Sequence, residues 1–226
     1  MILRILTALL LTVVVCPSQF SPAQSFRQTV AAPAGGGGEA ADETFDPTGY
    51  DLTWTEGGTA TPDEDYSASP INGAQSLRIV LSSQTGFSEN SFTAASTKTV
   101  VLRWRRTDNT GTAIVFAFYN DTGLQSQVRV FDGGTLDVAA GGTASAQTVA
   151  GISDGAEVYI RYTYTKGTGA NAVGSVEWST TSTFTGSGNN FTSTSAGTST
   201  LDANKFRIGT GASEVLDWVF DDVDYQ

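Results

Sequence analysis

The chain has 226 residues, with 12 Lys and Arg against 23 Asp and Glu, a net charge of −11, no histidine and a single cysteine, Cys16. That inventory excludes zinc sites built on His or Cys, Ser-His-Asp triads and imidazole acid–base catalysis. Such acidity repels nucleic acid and anionic membranes, and the metal chemistry left open is that of oxygen ligands, calcium first.

Residues 1–23 read as a secretory signal peptide. Arg4 supplies the positive start, Ile5–Val15 the apolar run, and Ser21-Pro-Ala23 the small residues of a cleavage point. The run is short for a membrane span, so the mature chain is expected outside the cell or at its surface, with no membrane insertion; the alternative is that the run is kept as an uncleaved anchor. Cleavage there removes Cys16 as well. Residues 24–41 include four consecutive glycines and read as a flexible N-terminal segment. The folded domain is expected over 42–226.

Within that domain no stretch has a helical period. Thr and Ser are frequent, Gly recurs as punctuation, and the apolar runs are short and alternate, which is the pattern of a many-stranded sandwich. Strands are predicted at 43–46, 76–82, 98–107, 112–120, 125–131, 134–138, 157–165, 173–179, 204–208 and 214–225. Turn residues separate several of them, as in Asn120-Asp-Thr-Gly123 and Asp132-Gly-Gly134. Segments 54–75 and 180–203 read as long loops, the second also as a weak edge strand, and Trp54 as a core plug under its loop.

Parity assigns the faces. Val100, Leu102 and Trp104 oppose Val101, Arg103 and Arg105; Ile114, Phe116 and Phe118 oppose Val115, Ala117 and Tyr119; Val158, Ile160, Tyr162 and Tyr164 oppose Tyr159, Arg161 and Thr163. The first face of each strand is core. The second gathers Arg103, Arg105, Tyr119, Arg129, Tyr159 and Arg161 as candidate ligand-binding residues. Rings stack on pyranose faces and guanidinium forks hold carboxylates. The alternative is that these arginines pair with the surplus acids of adjacent strands.

Phe206-Arg-Ile-Gly209 followed by Trp218-Val-Phe-Asp-Asp-Val-Asp-Tyr225 resembles the end of a laminin-G-like, concanavalin A-like domain. Ile152–Tyr164 resembles another strand of that superfamily, and Val173–Trp178 stands where its members carry a further strand, though without their Asp-Gly pair. The resemblance covers about 42–226. It implies an all-β, two-sheet antiparallel jelly-roll β-sandwich in which 43–46 lies beside Trp218–Tyr225. Its members include glycan-binding modules, adhesion domains, virion surface proteins and some glycoside hydrolases. Related jelly rolls hold a structural calcium near the paired terminal strands, which makes Asp221 and Asp46 candidate calcium ligands. By parity Asp221 points inward with Val219 and Val223. The alternative for that carboxylate is to accept backbone N–H groups from the loop at 47–50.

No catalytic residues are expected. Glycoside hydrolysis needs two carboxylates at a set separation, whereas Glu214-Val-Leu-Asp217 has the wrong spacing and Glu157 and Glu177 are isolated on their strands. The expected function is therefore a non-catalytic extracellular glycan-binding or adhesion module that meets a polysaccharide or cell-surface glycan. The alternative is a self-assembling surface, filament or virion decoration protein, with a glycoside hydrolase as a minor third.

Overall fold

The computed structural model describes residues 43–46, 51–141, 143–144, 151–169, 171–184 and 193–226. The expected signal and glycine-rich segments lie outside the described residues. Twelve strands follow one another, with no helix among the described residues: β1 (Trp54–Gly58), β2 (Asp63–Tyr66), β3 (Ser76–Ala95), β4 (Thr97–Thr110), β5 (Ala113–Asn120), β6 (Gly123–Val130), β7 (Leu136–Ala140), β8 (Thr143–Ala144), β9 (Glu157–Thr165), β10 (Ala172–Ser179), β11 (Ser193–Gly197) and β12 (Ala203–Tyr225).

Two layers share their central strands. The first half of β12 pairs with β5 on one side and the second half of β3 on the other, which continues outward to β1; beyond β5 follow β6, β7 and β8. This is layer A. The second half of β12 pairs with β4 and with the first half of β3, which carries β2; beyond β4 follow β9, β10 and β11. This is layer B. All pairings are antiparallel, and the fold is a concanavalin A-like jelly-roll β-sandwich.

The core between the layers is aromatic. Trp104 and Trp218 meet edge to face at 5.8 Å, Phe116 and Phe220 do so at 5.8 Å, and Phe206 stacks on Phe116 at 6.1 Å. All five are fully buried. Alternation explains this, because a strand that buries every second residue sends Phe206, Ile208, Trp218 and Phe220 to one side. Crossing from one layer to the other costs β12 its regularity between Thr210 and Glu214, where its register against β3 shifts. Gly209 makes the approach possible. It has φ +89°, and a Cβ there would come within 2.5 Å of the Gly86 carbonyl oxygen.

Several boundaries differ from the sequence expectation. Two predicted strands, 204–208 and 214–225, are one continuous element. The strand predicted at 76–82 runs on to Ala95, because the polar stretch Ser82–Ala95 finds partners in β1 and β12 that no local pattern announces. The supposed loop 54–75 contains β1 and β2, and 180–203 supplies the edge strand β11. Residues 43–46 do not form a strand. They contribute a single antiparallel bridge, Glu43 to Val223, with N–H···O distances of 3.0 and 2.8 Å. Glu43 itself is fully buried, and its carboxylate accepts from the N–H groups of Phe45, Asp51 and Leu52 and from Trp54 Nε1, all at 2.8–2.9 Å. Trp54 is the expected core plug, anchored by that carboxylate.

Candidate functional site

The six ligand-binding candidates do not share one surface. Arg103, Arg105, Tyr159 and Arg161 lie together on the outer face of layer B, where Arg103 sits opposite Tyr159, Arg105 opposite Glu157, and Val101 opposite Arg161. Tyr119 and Arg129 are on β5 and β6, hence on the outer face of layer A. The separation follows from topology: β4 and β5 are consecutive in sequence but belong to different layers, so equal parity puts their outward residues on opposite sides of the molecule.

On layer B the arginines pair with acids. Arg105 Nη1 reaches Glu157 at 3.0 Å, Arg103 reaches Glu157 at 3.5 Å and Asp222 at 3.4 Å, and Arg161 is ion-paired with Glu177. Their stems and forks also cover rings, Arg103 over Tyr159 at 5.5 Å and Arg161 over Phe184 at 4.5 Å. Arg105 additionally donates to the carbonyls of Ser69 and Pro70, so it grips the loop after β2. This loop crosses the layer and leaves a groove of about 460 Å³ beside it, lined by Tyr66, Arg78, Arg105, Glu157, Asp217 and Val219 among others.

The same loop explains Asp221. Because Val219 lines the groove, it points outward, and Asp221 points outward with it; the parity reading that sent Asp221 into the core is corrected. A bulge follows, where Asp222 takes φ 50° and the register against β4 shifts, and this returns Val223 to the core. Asp221 is nevertheless fully buried, beneath the loop. Its carboxylate accepts from Asn72 N at 3.0 Å, Ser76 Oγ at 2.8 Å and Asp222 N at 2.9 Å. Burial and the neighbouring Asp222 push its pKa up to about 8. Asp46 accepts from Ala74 N at 2.8 Å and Gln75 N at 2.8 Å. Both candidate calcium ligands thus clasp the segment 72–76; the loop at 47–50, the other donor expected for Asp221, lies outside the described residues. No group of three or more metal-ligating side chains occurs among the described residues.

Layer A carries the other constellation, built from residues the sequence reading largely missed. Arg207 of β12 lies between two rings, 3.7 Å from Phe87 and 4.2 Å from Tyr119. Its Nε and Nη2 donate to Glu89 at 3.1 and 2.7 Å, and its Nη1 donates to the Tyr119 hydroxyl oxygen at 3.3 Å. Lys205 is the direct cross-strand neighbour of Tyr119 and stands 3.8 Å from Glu89 and 3.4 Å from Asp121. Ala117 separates Arg207 from Gln127 in the next register row. Arg129, further along, is ion-paired with the buried Asp137. Gly57 gives the Phe87 ring its place, since a Cβ there would meet Phe87 Cζ at 2.3 Å. A row of an ionisable hydroxyl, an ammonium, a fixed guanidinium and an amide can exchange a proton while compensating charge on an adjacent group.

Arg207 was within reach of the sequence, for it alternates with Phe206 and Ile208 and so must point outward. Its partners Phe87 and Glu89 were not, because their stretch carries no predicted strand.

The fold is shared with solved structures that include polysaccharide-cleaving enzymes. A cellulose-induced protein, Cip1, superposes with a TM-score of 0.52 and 14% identity over 76% of this chain and 90% of its own. An alginate lyase, Aly36B, solved with an alginate trisaccharide, superposes with a TM-score of 0.50 and 11% identity over 76% of this chain and 87% of its own. An engineered GH43 glycoside hydrolase with endo-xylanase and exo-arabinofuranosidase activity matches at 0.50 and 12% identity over 88% of this chain but 43% of its own. At these identities the likeness is one of fold. No protein-family model and no curated protein matches the sequence. The expectation of a non-catalytic module, with self-assembly as its alternative, is corrected by these neighbours: they include polysaccharide-cleaving enzymes, which favours the minor glycoside-hydrolase alternative in part, as an enzyme, over the main reading.

Proposed function

We propose that the chain is an exported polysaccharide lyase acting on a uronate-containing glycan, with its site on the outer face of layer A. The observation that carries the reading is the Tyr119 hydroxyl, whose oxygen accepts from Arg207 while Lys205 stands directly across the strand pair. In β-elimination the proton on the carbon α to the uronate carboxyl is removed, its electron pair forms the new C=C bond, and the bond to the glycosidic oxygen breaks toward oxygen, which takes a proton. Tyr119 transfers that proton from carbon to leaving oxygen. Lys205 and Gln127 offset the charge that develops on the carboxyl group. Arg207 is a positioning residue: its fork is committed to Glu89, and its place between two rings fixes the Tyr119 oxygen. Support for the substrate class comes from the alginate lyase that shares the fold, and support for export from the apolar segment Ile5–Val15.

The test is incubation with alginate and with glucuronan, reading both ultraviolet absorbance of unsaturated uronate and reducing ends. Unsaturated product that Tyr119→Phe abolishes is the expected result. Reducing ends without unsaturation would instead identify a hydrolase, and activity retained in Tyr119→Phe would move the site elsewhere.

A further inference from the structure

The groove on layer B lies on the far side of the core from Tyr119, and it is built differently. Arg78 forms a two-pronged pair with Asp217, Nε to Oδ1 at 2.9 Å and Nη2 to Oδ2 at 2.7 Å, while its guanidinium lies 4.8 Å from the centre of the Tyr66 ring. Arg105 pairs with Glu157 across the groove. The two cations and two anions of the lining therefore cancel, and on a chain of net charge −11 nothing in this groove draws in an anion. What it offers instead is hydrogen-bonding capacity of both signs. The carboxylates keep spare lone pairs, and the hydroxyls of Tyr66 and Thr107 have no hydrogen-bond partner among the described residues. Val219, 1% exposed, supplies an apolar floor, and Tyr66 a ring at the edge. A volume of about 460 Å³ lies within the range of small-ligand sites, ~300–1,000 Å³.

We propose that this groove is a second saccharide site, one that binds a neutral sugar chain and takes no part in cleavage. A polyol fits because each hydroxyl both donates and accepts, matching paired guanidinium and carboxylate groups without breaking either ion pair. An anionic sugar would have to displace Glu157 or Asp217 from its arginine and leave a carboxylate uncompensated. The loop clasped by Arg105, Asp221 and Asp46 forms one wall, so the groove exists before the ligand arrives.

Isothermal titration of the full chain with neutral hexaoses of the cello-, xylo- and laminari- series tests this, with alginate hexaose as the anionic comparison. At least one neutral hexaose binds, alginate does not compete for it, and Tyr66→Ala weakens it by about tenfold, the worth of one aromatic platform. Thr107→Trp, which fills the groove from an exposed position, abolishes binding, and Tyr119→Phe leaves it unchanged. Because Thr107 is exposed, that variant keeps the test open even if Tyr66→Ala disturbs its edge strand. Absence of binding by every neutral hexaose, or binding indifferent to Thr107→Trp, overturns the proposal. Loss in Tyr119→Phe would assign the sugar to the layer A site instead.

Discussion

Replacing Arg207 by Met keeps most of the stem and removes the guanidinium. The pair with Glu89 is two charge-assisted hydrogen bonds between side chains 17% and 15% exposed, worth about 1.5–3 kcal/mol. The two ring contacts at 3.7 and 4.2 Å add about 0.5–1 kcal/mol each, against which the new methionine recovers some burial. The expected loss is about 3 kcal/mol, part of it the penalty on a Glu89 whose remaining ion-pair partner among the described residues is Lys205 at 3.8 Å. Glu89→Gln in the Arg207→Met background therefore restores stability by about 1–2 kcal/mol although it destabilises the wild type, and the departure from additivity across the four proteins is the coupling between the two sites. Urea unfolding of wild type, both single variants and the double variant measures this as shifts in midpoint at constant slope. A loss below about 1 kcal/mol for Arg207→Met, or losses that simply add, would refute the view that this arginine holds the layer A constellation together. In the two variants that lack Arg207 the proposed lyase activity should fall even under conditions where the fold is intact, since Tyr119 loses the donor that fixes its oxygen.

Trp218→Ala opens a cavity against Trp104 and Phe220 and should cost about 3–5 kcal/mol in the same assay; a loss near that of a surface change would deny the core its centre. Asp221 has a folded pKa raised from 3.8 to about 8 by burial. The folded state therefore binds more protons between those values. Its contribution to stability is fully present below the unfolded pKa and is lost as pH rises through about 8. Thermal melts should show wild type losing stability across that window relative to Asp221→Asn, and parallel pH profiles for the two proteins would contradict this. Added salt should lower KM for a polyuronate, because it screens a polyanion from a protein of net charge −11; KM rising with salt would mean that local cations dominate the encounter.

What the sequence disclosed was whatever depends on alternation within one strand. The inward sets Val100, Leu102, Trp104 and Val158, Ile160, Tyr162, Tyr164 are in the core, as are Phe116 and Phe118, but Ile114 is not: an irregularity between Ile114 and Phe116 puts Val115 inward in its place. What it hid was whatever depends on the neighbour. Parity correctly turned Tyr119 and Tyr159 outward, but only the passage of β12 between β4 and β5 decides that they face opposite sides. Asp221 was misplaced by a related blindness: a bulge after it flips Val223, and a bulge leaves no mark in a run as apolar as Trp218–Tyr225. The Phe87–Arg207–Tyr119 stack joins β3, β12 and β5, three elements whose adjacency is not written in any one of them.

That β12 is central to both layers, and last of the twelve in chain order, bears on how the protein is made. A nascent chain that has delivered β1 to β11 holds two half-sheets, each missing the strand that would join it to β3. Neither β4 nor β5 has its inner neighbour, and both present bare ladders to any passing strand. Closure must wait for the final element, so folding is governed by contacts distant in sequence and is correspondingly slow. Until then the polypeptide exposes unpaired strand edges on both half-sheets, which chaperones can shield from aggregation.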